Sequence, residues 1–202
     1  GWNGGTGIVV GSAIEGIGSS SLSGCTVTKN GGDGINVRFG CVITECSAFQ
    51  NGGDGIFAGG SSTVDKCDVR NSGGDGIEMG NGNGVVRDSN SGVNAGDGIK
   101  VLASCLISGN RCEFNSSGIH ATGSNNRIEG NHVLSNTRGV KVDSSDNLII
   151  RNSARNNITA NYDIVANNNV GTTVTALHSG AISGSDGGVG LGTTDPWANF
   201  SF

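Results

Sequence analysis

The sequence predicts an all-β chain wound as a parallel β-helix, a solenoid of about eight coils with roughly 21 residues each. Two observations predict it. The stretch NGGDGI stands at 30–35 and again at 51–56, and returns as SGGDGI at 72–77 and NAGDGI at 94–99. The pair Gly-Ile or Gly-Val recurs at Gly7-Ile8, Gly34-Ile35, Gly55-Ile56, Gly76-Ile77, Gly98-Ile99, Gly118-Ile119 and Gly139-Val140, with a looser last member at Asp163-Ile164.

Each coil follows from the local pattern. After each anchor glycine the order is apolar, variable, apolar, as in Ile35-Asn36-Val37, Ile77-Glu78-Met79 and Ile119-His120-Ala121. A period of two marks a short strand with one buried face. Such strands are too short to stand alone, and a 21-residue repeat has room for three of them and three turns. Stacked coils pair each strand with its copy one repeat later, about 4.8 Å away. A leucine-rich repeat has a similar period but needs regularly spaced leucines, which are scarce here.

Other columns keep the same beat: Cys25, Cys46 and Cys67; Ile107, Ile128 and Ile149; Asn110, Asn131 and Asn152; Asn115, Asn136 and Asn157. The Asn110, Asn131, Asn152 column reads as an inward amide ladder, because a buried Asn without partners is costly. The three in-phase cysteines read as small hydrophobes pointing into the core. Cys41 and Cys105 share an offset three coils apart and cannot pair, so the six cysteines are expected to be free thiols. No Cys-x-x-Cys occurs, and His120, His132 and His178 complete no zinc spacing.

Composition excludes several classes. The formal net charge of −5 gives no basic stripe for nucleic acid. No apolar run is long enough to span a membrane. No threonine column offers the flat rows that ice binding wants. The chain begins at Gly1 rather than Met, as expected of a processed or excised piece. The repeat occupies residues 1–169, and from Val170 to Phe202 it is lost. That tail, with Trp197, Phe200 and Phe202, is expected to cap the last coil or to join subunits, for instance of a homotrimer.

The repeat NRIEGNHVLSNTRGVKV (126–142) resembles that of bacterial right-handed parallel β-helix proteins of the pectate-lyase-like superfamily. The stretches NYDIVANNNVG (161–171) and DPWANFSF (195–202) resemble C-termini in that set. The resemblance implies a right-handed coil, which is also the usual sense of parallel crossovers, and a secreted or cell-surface protein. It is weak for function, because the superfamily holds lyases, hydrolases, epimerases, tailspikes and inactive scaffolds.

Two places could carry function. In pectate-lyase-like enzymes the substrate lies along the outer face of one sheet. Here the outward residue of the anchor strand reads Val9, Asn36, Phe57, Glu78, Lys100, His120, Lys141, Val165, a polar stripe from Glu78 to Lys141. Two lysines beside a histidine would suit an anionic polysaccharide, with His120 as a base. The second place is the corner where Asp33, Asp54, Asp75 and Asp97 stack. Neighbouring carboxylates must be solvated, bonded to backbone N–H groups, or bridged by a cation such as calcium. Asp-Gly is also ordinary turn chemistry, with Asp bonding nearby backbone and Gly accepting a positive φ.

The catalytic patterns that the resemblance would imply are missing. There is no Asp-Asp pair, Gly-His-Gly or Arg-x-Lys of the polygalacturonases, and no Asp-Pro-His of the alginate epimerases. Arg138 is the nearest arginine in phase with the aspartate corner. The sequence therefore favours a non-catalytic extracellular scaffold, glycan-binding or adhesin-like module. The competing class is a lyase, hydrolase or epimerase on an anionic polysaccharide, and calcium is the only cofactor in view.

Overall fold

A computed structural model describes residues 3–10, 20–175 and 195–201. Trp2, His178 and Phe202, and most of the predicted tail, lie outside them. Every strand pair is parallel, and the strands form three long sheets. The first sheet stacks Ile8–Val10, Ile35–Val37, Ile56–Ala58, Ile77–Met79, Ile99–Val101, Ser117–Ala121, Arg138–Val142 and Ala160–Ile164. The second runs from Ser21–Ser23 to Asn169–Val170 and the third from Thr26–Thr28 to Ser153–Arg155. No helix occurs among the described residues, so none there could cross a membrane.

The alternation in sequence sets the burial. In the first sheet Ile35, Ile56, Ile77, Ile99 and Ile119 are fully buried, while the residue after each stays half-exposed. Burying an isoleucine side chain contributes roughly 1.5–3 kcal/mol, and each rung adds one such side chain to the same continuous core.

The corners hold three inward polar columns. Before the third-sheet strands, Asn110 Nδ2 donates to Asn131 Oδ1 at 3.1 Å, Asn131 to Asn152 at 3.0 Å, and Asn152 to Asn199 at 3.2 Å. A second ladder joins Asn94, Asn115, Asn136 and Asn157 before the first sheet. A third column before the second sheet includes Asn126, Asn147 and Asn168.

Three sequence readings need correction. Cys46 and Cys67 do point into the core and Cys25 packs against it, but their column does not stay apolar. They continue the Asn110 ladder through Ser89, because Cys67 N donates to Ser89 Oγ and Ser89 N to Asn110 Oδ1. All six thiols are free, and all but Cys25 are buried.

The last rung is also displaced. Val140 pairs with Tyr162 and Val142 with Ile164, so the stripe continues to Asp163 and not Val165. Tyr162 takes the inward place because its hydroxyl finds the carbonyls of Asn152 at 2.8 Å and Phe200 at 3.0 Å.

The motif glycines, finally, have no positive φ; among the described glycines only Gly24, Gly40, Gly109 and Gly130 do. Gly is required for close approach instead. A Cβ on Gly52 or Gly73 would lie within 2.4 Å of a carbonyl oxygen in the rung below.

Beyond the repeat, Asn199–Ser201 lies between Ser153–Arg155 and Thr173–Val174 in the third sheet. Arg151 stacks on Trp197 at 4.0 Å.

Candidate functional site

The Gly-Gly-Asp-Gly loops lead into the first sheet, and their aspartates stack at that corner. Each Oδ1 accepts a main-chain N–H from the next rung. Asp54 N lies 2.9 Å from Asp33, Asp75 N 2.7 Å from Asp54, Asp97 N 2.7 Å from Asp75, and Ser117 N 2.8 Å from Asp97. One oxygen of every carboxylate thus stitches coil to coil, rather than closing a turn within its own coil.

The second oxygen reaches the outward stripe. Asp33 Oδ2 accepts from Asn36 Nδ2 at 2.8 Å, Asp75 Oδ2 from Lys100 Nζ at 3.2 Å, and Asp97 Oδ2 meets His120 Nδ1 at 2.6 Å. Asp54 has no such cation. Burial, reinforced by a hydrogen bond with Glu78 and the charge of Asp75, pushes its carboxyl up to about 7. Asp54, Asp75 and Glu78 each bring one oxygen within 4.8 Å of the others, a set that suits calcium chemically. Lys100 Nζ already stands 3.2 Å from both Asp75 Oδ2 and Glu78 Oε1. The second oxygens of Asp33 and Asp97 are engaged elsewhere, so only this cluster within the predicted four-aspartate ladder could gather oxygens round a cation.

Glu78, Lys100, His120 and Lys141 do come together in one outward column, each opposite the next. They are not free. His120, with only 13% of its side chain exposed, is clamped between Asp97 at Nδ1 and Asp143 at Nε2, 2.6 and 2.8 Å away. The Asp97 hydrogen bond, aided by Asp143 and opposed by burial and the charge of Lys141, raises the imidazole pKa. Burial alone would raise the Asp97 carboxyl, but the His120 and Ser117 hydrogen bonds outweigh it and hold it low. Lys141 Nζ sits 3.0 Å from Asp143 Oδ2. One rung on, Arg138 Nε lies 2.9 Å from Asp163 Oδ2.

Chemically the stripe is a row of cations neutralised in place. With Nδ1 held by Asp97 and Nε2 shared between Asp143 and Lys141 Nζ, 3.1 Å away, neither ring nitrogen is open to a substrate. Asp143 was not among the residues singled out from the sequence. The available signal was its position two residues after Lys141, on the same face of one strand.

With this geometry in view, the comparisons carry weight. The family model described as a right handed beta helix region matches residues 2–126 and, in an overlapping second match, 57–200. The chain belongs to the right-handed β-helix family. No curated protein sequence matches this β-helix. Among solved structures it is similar to the A-module of the Azotobacter vinelandii mannuronan C-5 epimerase AlgE6, with a TM-score of 0.64 and 16% identity. The match covers 83% of this chain and 54% of that one, so this β-helix spans about half the length of the epimerase module. At that identity the likeness is one of fold.

Proposed function

We propose that this β-helix is a non-catalytic glycan-binding module, secreted or held at the cell surface. One observation carries the non-catalytic half: the His120 clamp, with Nδ1 engaged by Asp97 and Nε2 by Asp143 and Lys141. The only histidine of the stripe therefore offers no base to abstract a sugar proton. The missing catalytic patterns support the same reading. The glycan half is supported by the fold shared with a module whose name is that of a mannuronan epimerase.

A second reading, an enzyme on an anionic polysaccharide, draws on Asp54. A carboxyl near neutrality beside Glu78 is the kind of perturbed pair found at active sites. The self-neutralised stripe and the net charge of −5 disfavour it, because a polyanion would meet few uncommitted cations there.

The test is affinity electrophoresis through a panel of polysaccharides, with parallel assays of unsaturated-product absorbance and reducing ends. Retardation by at least one polysaccharide without turnover is expected. Turnover that disappears in His120→Ala would overturn the proposal.

A further inference from the structure

The corner between the third and first sheets carries a feature that the aspartate column does not explain. At each rung one residue there adopts the left-handed conformation. Lys29, Gln50, Asn71, Ser135 and Asn156 do so with φ of 58°, 55°, 55°, 56° and 55°. These are mostly amide or hydroxyl side chains, of which Asn tolerates the conformation best. In the middle of the column stand Val93 and Phe114, at φ 59° and 57°. A β-branched and an aromatic residue are poor choices for that backbone. Neither is there to fill the core, since Val93 is 47% and Phe114 58% exposed. The corner fixes that backbone at every rung, so it is the choice of two exposed apolar side chains there that points to a binding surface.

A shallow depression of ≈ 560 Å³ adjoins them. Gly52 and Gly73 form part of its floor, and Gln50, Asn71, Val93 and Phe114 line it. Both glycines lie close against the neighbouring coil, and Ala95 takes the same position one rung on. No charged residue lines the depression. On its third-sheet side Arg70 and Glu113 face each other at 3.9 Å, and Lys29 stands in the same column one rung before Gln50.

We infer that this groove binds an uncharged saccharide chain lying along the solenoid axis. The inference rests on the glycan-binding reading above and names both the surface and the class of sugar. The Phe114 ring and the Val93 methyls meet the C–H face of a sugar ring, while the Gln50 and Asn71 amides donate to and accept from its hydroxyls. Rungs repeat every ~4.8 Å, so successive rungs can offer equivalent contacts to successive parts of an extended chain. The charge balance selects a neutral sugar. The lining offers no cation to a uronate, and the cations of the first sheet are held by carboxylates.

The experiment is isothermal titration of the full chain with neutral hexasaccharides of β-linked glucose, mannose, xylose and N-acetylglucosamine, and with polymannuronate and polygalacturonate. The Val93→Asn/Phe114→Asn variant supplies the control. Asn already stands in this column at Asn71 and Asn156, so the fold is kept and strain is relieved. At least one neutral hexasaccharide is expected to bind. The double variant should bind it about tenfold or more weakly, while its melting temperature rises by about 2–4 °C. Neutral-sugar binding that is unchanged in the double variant would overturn the inference. So would binding of the polyuronates alone, lost in Lys100→Ala; in either case the glycan-binding reading would survive. If neither class binds the unaltered chain, that reading falls and the groove falls with it.

Discussion

The N-terminal and C-terminal rungs build the same corner from different chemistry. Before the third sheet, the early rungs place Cys25, Cys46, Cys67 and Ser89, and the later ones Asn110, Asn131, Asn152 and Asn199. The task is identical. Cys67 Sγ reaches the Ile43 carbonyl in the rung below at 3.7 Å, and Asn131 Nδ2 reaches the equivalent Ile107 carbonyl at 3.0 Å. The amide also accepts from both the backbone and the side chain of Asn110. A thiol is a weak donor and acceptor and performs the same role less well. Burial pushes the Cys67 thiol up to about 12, so it stays protonated and inert. The difference teaches that the solenoid requires a donor and an acceptor at this corner, and that the C-terminal half meets the need more strongly.

The aspartate column repeats the contrast. Asp54, early in the stack, has no cation beside it, and burial pushes its carboxyl up to about 7. Asp97, later, is answered by His120.

The largest effect should come from the amide ladder. Asn131→Ala takes the acceptor from the Asn110 N–H and from one of its two amide hydrogens, and a donor from the Ile107 carbonyl, and should cost about 3 kcal/mol or more. Cys67→Ala removes only a weak bond and a small volume, and should cost about 1–2 kcal/mol. Equal shifts in urea midpoint would erase the distinction between the two halves.

Next comes Asp97→Asn. His120 has a raised pKa, so its contribution is complete below the ordinary 6.5 and is lost as pH rises through the folded value. Asp97 has a lowered pKa, so its contribution is present above 3.8 and lost as pH falls through its folded value. The variant should therefore be less stable, by about 2 kcal/mol, chiefly between those limits. Thermal melts at several pH values would check it.

Asp54→Asn should act in the opposite sense. A carboxyl raised from 3.8 to about 7 contributes stability below 3.8 that is lost as pH rises through 7. The variant escapes that loss, so its advantage over the unaltered protein should grow between pH 5 and pH 8. A constant difference across that range would remove Asp54 from the account. The smallest effect is expected from a calcium chelator. Asp column oxygens already bond backbone, and Lys100 faces the one acidic cluster, so the melting temperature should not move.

The repeating beat made the strands, their pairing, the core isoleucines and the stacking of the aspartates legible from the sequence. What it concealed has physical causes. The step from Cys67 to Ser89 is 22 residues, which hides the join between the thiol and amide columns. Tyr162 breaks the aliphatic pattern, so its inward place was invisible without its hydroxyl partners. The clamp on His120 depends on partners 23 residues away on either side, one from the corner and one from the neighbouring outward row. A column shows which residues stack; it does not show which diagonal neighbours they bond. Val93 and Phe114 were misfits in a turn position and could have been found by comparing that position across rungs.

The clamp is where the non-catalytic reading stands or falls, and NMR titration of the His120 ring carbons and nitrogens addresses it directly. The ring should titrate above pH 6.5 and should return toward 6.5 in Asp97→Asn. A ring in the unaltered protein that titrates at or below 6.5 would contradict the account, because it would leave a neutral imidazole on the outer face at physiological pH, free to act as a base.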